Sequence, residues 1–455
     1  MISRANITGD AASRTGPAGT AAPTDLRQWS RTRLGSARRA LDGDRALLVN
    51  AASLFGTTAV TSLFGFGFWW LAARIFPVTA VGYASAAVSA LMMIGVIGML
   101  GLGTVLINEL ARRPPGSGSL LTASLLVSGI ASAVLGLGFV LVTPHLTGRP
   151  MPFAAHADTM LLFALGAALT GTTFVLDQAL IGLLRGELQL FRNIVGSVAR
   201  LVLLAVAAVL VRDRAGIGIL VAWVVGTLVS MLLLARSMQR RGIPVLHLPD
   251  WVIMRRLSRS AASHNWLNMT AQLPGYAMPV LATGLVSPAA GAGFYVVWNI
   301  LNFITIVPFH LSTVLQAIGA ADVSLLRRKL RFTLRLALLA GAAGVPVLVA
   351  GAGTILSAFG PDYAAHGTGP LRVLAFGYFS WVFQACYVSV CRVHGLIVRA
   401  AVTMTIAGLL ELGAAATGAV VGGLMGLSVG LLAALCLVAG VTAPRVLRAA
   451  TLRSQ

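Results

Sequence analysis

Stretches of about 20 predominantly apolar residues recur along the chain, the length an α-helix needs to cross the hydrocarbon layer of a membrane. Twelve such spans are predicted, at about 47–73, 81–107, 120–142, 159–184, 193–211, 216–235, 261–286, 292–315, 336–356, 373–391, 400–421 and 424–443. Only Gly422-Gly423 separates the last two. The unbroken run from 400 to 443 is too long for one crossing and is read as two helices joined by that glycine turn. Between spans the chain is short and polar. The longest connection, 236–260, divides the spans six and six. The predicted organisation is a disordered basic tail over 1–46, an N-terminal six-helix lobe over 47–235, the linker 236–260, a C-terminal six-helix lobe over 261–443 and a tail over 444–455.

Composition agrees with an all-α polytopic membrane protein. Of 455 residues 57% are hydrophobic and 10% charged, against about 25% charged in a soluble globular domain. The formal charge of +21 reads as a topology signal through its placement. Of 34 basic residues, 28 fall in alternate segments between spans, which the positive-inside rule assigns to the cytoplasm together with both termini. Five lie in the other segments, and Arg200 sits within a span. Nucleic-acid binding is therefore not expected. Cys386, Cys391 and Cys436 all fall in spans without metal-ligand spacing and are read as apolar fillers. Neither a metal nor a cofactor is expected.

The two halves look duplicated. "FPVTAVGYAS" at 76–85 resembles "SPAAGAGFYV" at 287–296, "GTVL" at 103–106 matches "STVL" at 312–315, and Arg185 and Arg192 recur at the same spacing as Arg392 and Arg399. Halves with an even number of spans are parallel, and transporters so built bind substrate between them and rock. The segments assigned to the outside are short, leaving no room for a catalytic ectodomain. No P-loop, HExxH or nucleophile elbow occurs, so an enzyme is not expected.

Polar groups inside spans are costly and mark either internal pairing or a hydrated pathway. Asp177, Arg200 and Glu411 are the deep charges. Asp177 and Arg200 are equidistant from the middle of 185–192, so a hairpin there brings them together, as a structural ion pair or as a charged or coupling site. His264, Asn268, Gln272 and Tyr276 recur every four residues, hence on one helix face, with Asn265 beside them. Asn50, Thr57 and their neighbours make a smaller stripe on the first helix, and Asn299 and Asn302 add to it from the eighth. These polar faces predict a central cavity. Pro274 and Pro279 permit bending of the seventh helix. Gly418, Gly422, Gly426 and Gly430 are read as a close helix packing.

The segment "GFGFWWLAARIFPVTAVGYASAAVSALMMIGVIGMLGLGTVLINELARR" resembles the opening of a polysaccharide-type flippase, as do "GLLRGELQLFRN" and "VCRVHGLIVRA" after the fourth and tenth spans. The chain is similar over about 47–447 to the multidrug/oligosaccharidyl-lipid/polysaccharide export superfamily, specifically its Wzx-like members. That resemblance implies a bilobed twelve-helix transporter in a bacterial plasma membrane that moves a polyprenyl-pyrophosphate-linked oligosaccharide between leaflets. Its partners would be the glycan substrate, membrane lipids and a glycan polymerase or glycosyltransferases. An anionic head would then depend on Arg200, His264 and a cytoplasmic rim of Arg45, Arg185, Arg192, Arg392 and Arg399. The drive would be an ion gradient coupled through Asp177 or Glu411, or consumption of the product outside. The competing expectations are a MATE-like cation-coupled antiporter of small molecules, disfavoured by the lack of a carboxylate in the first helix, and a membrane scaffold that transports nothing.

Overall fold

The computed structural model describes residues 61–112, 117–148, 152–210, 216–241, 247–248, 262–321 and 323–451. Among these, all regular structure is helical. The first helix, α1, occupies 61–75 and turns at Pro77 into α2 (Val78–Gly98). The second crossing then breaks. Leu100 and Gly101 adopt positive φ, and the chain resumes as α3 (Leu102–Arg112). There follow α4 (Ser117–Thr147), α5 (Ala157–Gly182), α6 (Gly186–Leu210) and α7 (Ile217–Arg240). The second half comprises α8 (Ala262–Leu281), α9 (Pro288–Ala321), α10 (Val323–Ser357), α11 (Pro361–Leu374) and α12 (Gly377–Val393). A helical stretch over Ile397–Thr451 completes it.

That last stretch is two helices. Gly422 and Gly423 leave helical dihedrals, Gly423 at φ +59°, so α13 ends before them and α14 begins at 424. The predicted turn is present, and the glycine series has the packing role read for it: Gly418 and Gly426 meet backbone to backbone across the turn. Any side chain there would hold the two helices apart.

Eight of the described helices are long and apolar enough to cross a membrane unaided, and the bent pair α11–α12, at 51°, makes a ninth. With α1 and α8 added and Ile397–Thr451 divided at its glycine turn, the described helices fit an all-α polytopic fold of about twelve crossings in two lobes of six. Apolar side chains face outward at helical spacing. Examples are Leu126, Ile130 and Val134 on α4, Val198, Val202 and Val206 on α6, and Val402, Ile406 and Leu410 on α13. Small residues face inward: Ser128 and Ser132 of α4 lie against Gly171 of α5, where a Cβ would strike them.

The lobes meet at the end of the bundle that holds the α1–α2 turn. Gly82 of α2 lies directly against the Pro288 carbonyl of α9, so the two "Pro…Gly" segments of the repeat pack on one another. Trp70 Nε1 (3.0 Å) and Arg74 Nη2 (2.8 Å) both donate to the Ala358 carbonyl. Trp69 packs edge-on to Tyr295 with centroids 4.5 Å apart. The opposite end carries Arg185, Arg236, Arg240, Arg241, Arg327, Arg392, Arg399, Arg445 and Arg448, and is called the basic end below.

The repeat is clearest in a turn. Leu183, Leu184 and Arg185 bond back to Ala179, Ile181 and Leu180, while His394, Gly395 and Leu396 bond back to Val390, Arg392 and Cys391. Leu184 (φ 56°) and Gly395 (φ 71°) are the left-handed residues. The helices that follow start at Gly186 and Ile397. Every one of these pairs is offset by 211, the offset of the Pro77/Pro288 segments. Matching Arg185 and Arg192 to Arg392 and Arg399 is therefore wrong by four residues, a coincidence of arginine spacing. The true equivalents are Leu396 and Thr403.

Candidate functional site

The short α5–α6 turn fixes the site. Because α6 begins at Gly186, the hairpin is centred on Leu184-Arg185 rather than within 185–192. The residue opposite Asp177 is thus two helical turns earlier than expected. Arg192, not Arg200, is the partner of Asp177. Its Nε donates to Oδ1 at 3.1 Å and its Nη2 to Oδ2 at 2.6 Å, a two-point geometry that suits guanidinium to carboxylate. Arg192 is 4% exposed, so it is not a rim residue. Its Nη2 also donates to Asn193 Oδ1 at 2.8 Å.

Arg192, Gly196 and Arg200 follow at intervals of four and share one face of α6. That face looks onto α1. Between them lies a cavity of about 210 Å³ lined by Thr61, Phe64, Gly65 and Phe68 of α1, by Asn193, Ser197 and the two arginines of α6, and by Trp223 of α7. The Arg200 guanidinium lies over the Trp223 ring, 4.1 Å from its centroid, and Nη2 donates to Thr227 Oγ1 at 3.0 Å. Gly226 makes room for it, since a Cβ there would come within 2.5 Å of Arg200 Cγ. Arg200 Nε is buried without a hydrogen-bond partner, and no carboxylate lies within ion-pair distance among the described residues.

An unpaired arginine deep in a lobe is costly, about 2.5–3.5 kcal/mol at a helix centre on insertion scales. A desolvated cation–π contact returns about 2 kcal/mol, and one hydroxyl returns little more. The balance leaves a cation on the wall of the cavity, with its Nε–H buried and unbonded. Asp177 is already committed to Arg192, so the cavity carries two guanidinium groups against one carboxylate. Its described lining is cationic and polar on the α6 side and largely aromatic and apolar on the α1 and α7 sides.

The C-terminal lobe holds a second polar cluster. Arg392 turns inward: its Nη2 donates to Asn268 Oδ1 at 2.6 Å and its Nη1 reaches Gln316 Oε1 at 3.5 Å. Asn265 is buried, with Nδ2 on Met269 Sδ at 3.1 Å and Oδ1 without a partner. Glu411 is buried on α13 and accepts from Gln384 Nε2 at 3.2 Å. Gln272 and Asn302 are exposed. Asn299 spends its amide on the Tyr295 carbonyl of its own helix at 2.8 Å. Arg185 is exposed and pairs with Glu187 at 3.4 Å, and Arg399 is exposed on α13. Arg45, Asn50 and Thr57 lie outside the described residues, as does the side chain of His264.

Three residues around Arg200 were not singled out in the sequence: Trp223, Thr227 and Asn193. Trp223 and Thr227 lie one turn apart on α7, and Trp223 is an indole in a span that otherwise reads as apolar packing. Only the pairing of α6 with α7 gives them meaning.

No family model matches the chain, and no curated protein is similar to it in sequence. Solved structures are similar to it in fold. A multidrug resistance MATE family transporter of the MOP superfamily in an inward-facing conformation superposes with a TM-score of 0.69 at 16% identity, covering 87% of this chain and 96% of that one. The outward-facing conformation of such a transporter gives 0.60 at 16% identity, covering 90% and 96%. A MOP superfamily transporter from Pyrococcus furiosus, described as having a binding pocket of reverse polarity that suggests a different function, gives 0.59 at 15% identity, covering 90% and 96%. The chain has the fold of the MATE transporters of the MOP superfamily.

Proposed function

We propose that the protein is an alternating-access transporter of the plasma membrane that carries the anionic head of a lipid-linked oligosaccharide between leaflets, its basic end facing the cytoplasm. The observation that carries this reading is Arg200: a buried guanidinium with no carboxylate partner among the described residues, on the wall of a cavity that also holds Arg192, Asn193 and Ser197. A pyrophosphate-linked glycan presents many acceptor oxygens and two or more negative charges, and cannot cross about 30 Å of hydrocarbon unaided. Lobe contacts hold the α1–α2 end together, which supports access from the basic end, and the higher TM-score to the inward-facing MATE structure agrees with that state. Basic residues gathered at one end support a cytoplasmic assignment for it.

The test is depletion. Loss of the protein should leave polyprenyl-pyrophosphate-linked oligosaccharide shielded from an outside probe, reversed by wild type, partly by Arg200→Lys and not by Arg200→Gln. A second reading, cation-coupled export of small molecules, draws on Glu411, a buried carboxylate in the C-terminal lobe with an amide as its hydrogen-bond partner. Depletion that causes no glycan accumulation but new sensitivity to cationic compounds would replace the first reading with this one.

A further inference from the structure

The 211-residue offset aligns two hairpins with the same backbone and different surfaces. In the N-terminal lobe, the space beside the α5–α6 turn is filled by Leu176, Leu180 and Leu188, with Leu234 and Met238 from α7, all buried. Their counterparts on α12 and α13 are Tyr387, Cys391 and Arg399. There the space is not filled. A cavity of about 130 Å³ opens at the basic end, lined by Tyr387, Val390, Cys391, Leu396 and Val446 together with Arg399 and Arg445. Both arginines are exposed. The Arg445 guanidinium lies 5.8 Å from the centroid of Tyr387, whose hydroxyl is 3.1 Å from Thr403 Oγ1.

Charge separates the two hairpins as well. At the N-terminal turn, Glu187 neutralises Arg185 and Arg241 at 3.4 and 3.5 Å. The residue equivalent to Glu187 is Val398. Neither Arg399 nor Arg445 has an ion-pair partner among the described residues. From 262 onward the chain carries only three carboxylates, at Asp322, Asp362 and Glu411. Asp362 opens α11, after the crossing that leaves the basic end, and Glu411 is buried fourteen residues into α13.

We infer that this cavity is a binding site for an anionic phospholipid of the leaflet at the basic end. The arginines hold the phosphate, and the apolar lining takes the first carbons of an acyl chain. A free phosphate would use the arginines but gain nothing from Leu396 and Val446, whereas a lipid uses both. Basic pockets between helices at a membrane surface suit anionic headgroups. The site lies in the lobe opposite the Arg200 cavity and does not depend on the transport reading.

Native mass spectrometry of the full chain in nanodiscs tests it, with phosphatidylcholine alone or doped with phosphatidylglycerol. Wild type should retain phosphatidylglycerol. Arg399→Leu/Arg445→Leu, which restores the leucine character of the N-terminal hairpin, should retain it about thirtyfold less, at the known strength of two basic groups against an anionic surface. Arg241→Gln, a charge lost at the same end of the other lobe, should leave retention unchanged. Arg399→Lys/Arg445→Lys keeps charge and should retain most binding; if the leucine variant does not fold, the single variant Arg445→Gln carries the comparison. Equal retention by wild type and the arginine-less variants would overturn the inference. So would equal loss in Arg241→Gln, or displacement of the lipid by inorganic phosphate at millimolar concentration.

Discussion

Removing the charge of Asp177 should be among the most damaging single changes in the N-terminal lobe. Both carboxylate oxygens are engaged by Arg192, and the two side chains are 16% and 4% exposed. Asp177→Asn leaves that guanidinium buried without a counter-ion, a loss that costs about 3–5 kcal/mol when one partner of a buried pair is removed. Asn193 Oδ1 still accepts from Nη2 at 2.8 Å, and the cavity gives access to water, so the cost should fall near the low end, at about 3 kcal/mol. Arg192→Gln should cost a similar amount by stranding the carboxylate. The double variant Asp177→Asn/Arg192→Gln restores two neutral amides at matching spacing. It should be less damaging than the sum of the singles by about 1.5–3 kcal/mol, within the range seen for contacting residues. Reversible unfolding in mixed detergent micelles, run on the four proteins of the cycle, measures this. A parallel cycle between Asp177 and Arg200 should be additive to within about 0.5 kcal/mol. Strong coupling to Arg200 with none to Arg192 would refute the placement of the α5–α6 turn on which the site rests.

Three further outcomes follow from the packing. Gly226→Ala places a methyl 2.5 Å from Arg200 Cγ; it should push the guanidinium off Trp223 and lower transport, with a shift in Trp223 fluorescence read in a background where the other tryptophans are replaced. Gly82→Val drives a side chain into the Pro288 carbonyl and should destabilise the closed α1–α2 end by about 1–3 kcal/mol, the usual cost of overpacking, seen as faster labelling of a cysteine placed at Ser287. Gly423→Ala forces φ +59°, ψ −142° on a residue with a Cβ. It should cost about 1–3 kcal/mol and lower the unfolding midpoint more than Gly413→Ala, where a Cβ meets open space.

Much of this architecture was legible in the chain. A span is set by length and apolarity, and both are local properties. The Gly422-Gly423 turn was likewise legible, because no single helix of that length fits a membrane. The break in the second crossing was not: Leu100 at φ 50° carries no signal, since leucine is an ordinary helix residue and rarely takes a left-handed conformation. The bend between α11 and α12 was missed too, because Ala375 and Phe376 at the break keep helical dihedrals and carry no turn chemistry. In the site, charge alone identified Asp177, Arg200 and Glu411, but pairing depends on where a turn is centred. An error of four residues in that centre moved the partner by eight, from Arg192 to Arg200.

The corrected register has one more consequence. Arg200 lies fourteen residues into α6, and Glu411 lies fourteen residues into α13, so the repeat places a guanidinium and a carboxylate at equivalent points of the two lobes. Each is set in surroundings fitted to its own sign. Arg200 has the π-face of Trp223 and the lone pair of Thr227, both of which favour a cation. Glu411 has the amide donor of Gln384, which favours an acceptor. Exchanging them as Arg200→Glu/Glu411→Arg would keep the summed charge and the repeat's symmetry, yet set a carboxylate against an indole face and a guanidinium against an N–H donor. The backbone is duplicated but the electrostatics are not. At equivalent points of the repeat the two lobes therefore present different chemistry, a guanidinium on an indole face in one and a carboxylate on an amide donor in the other.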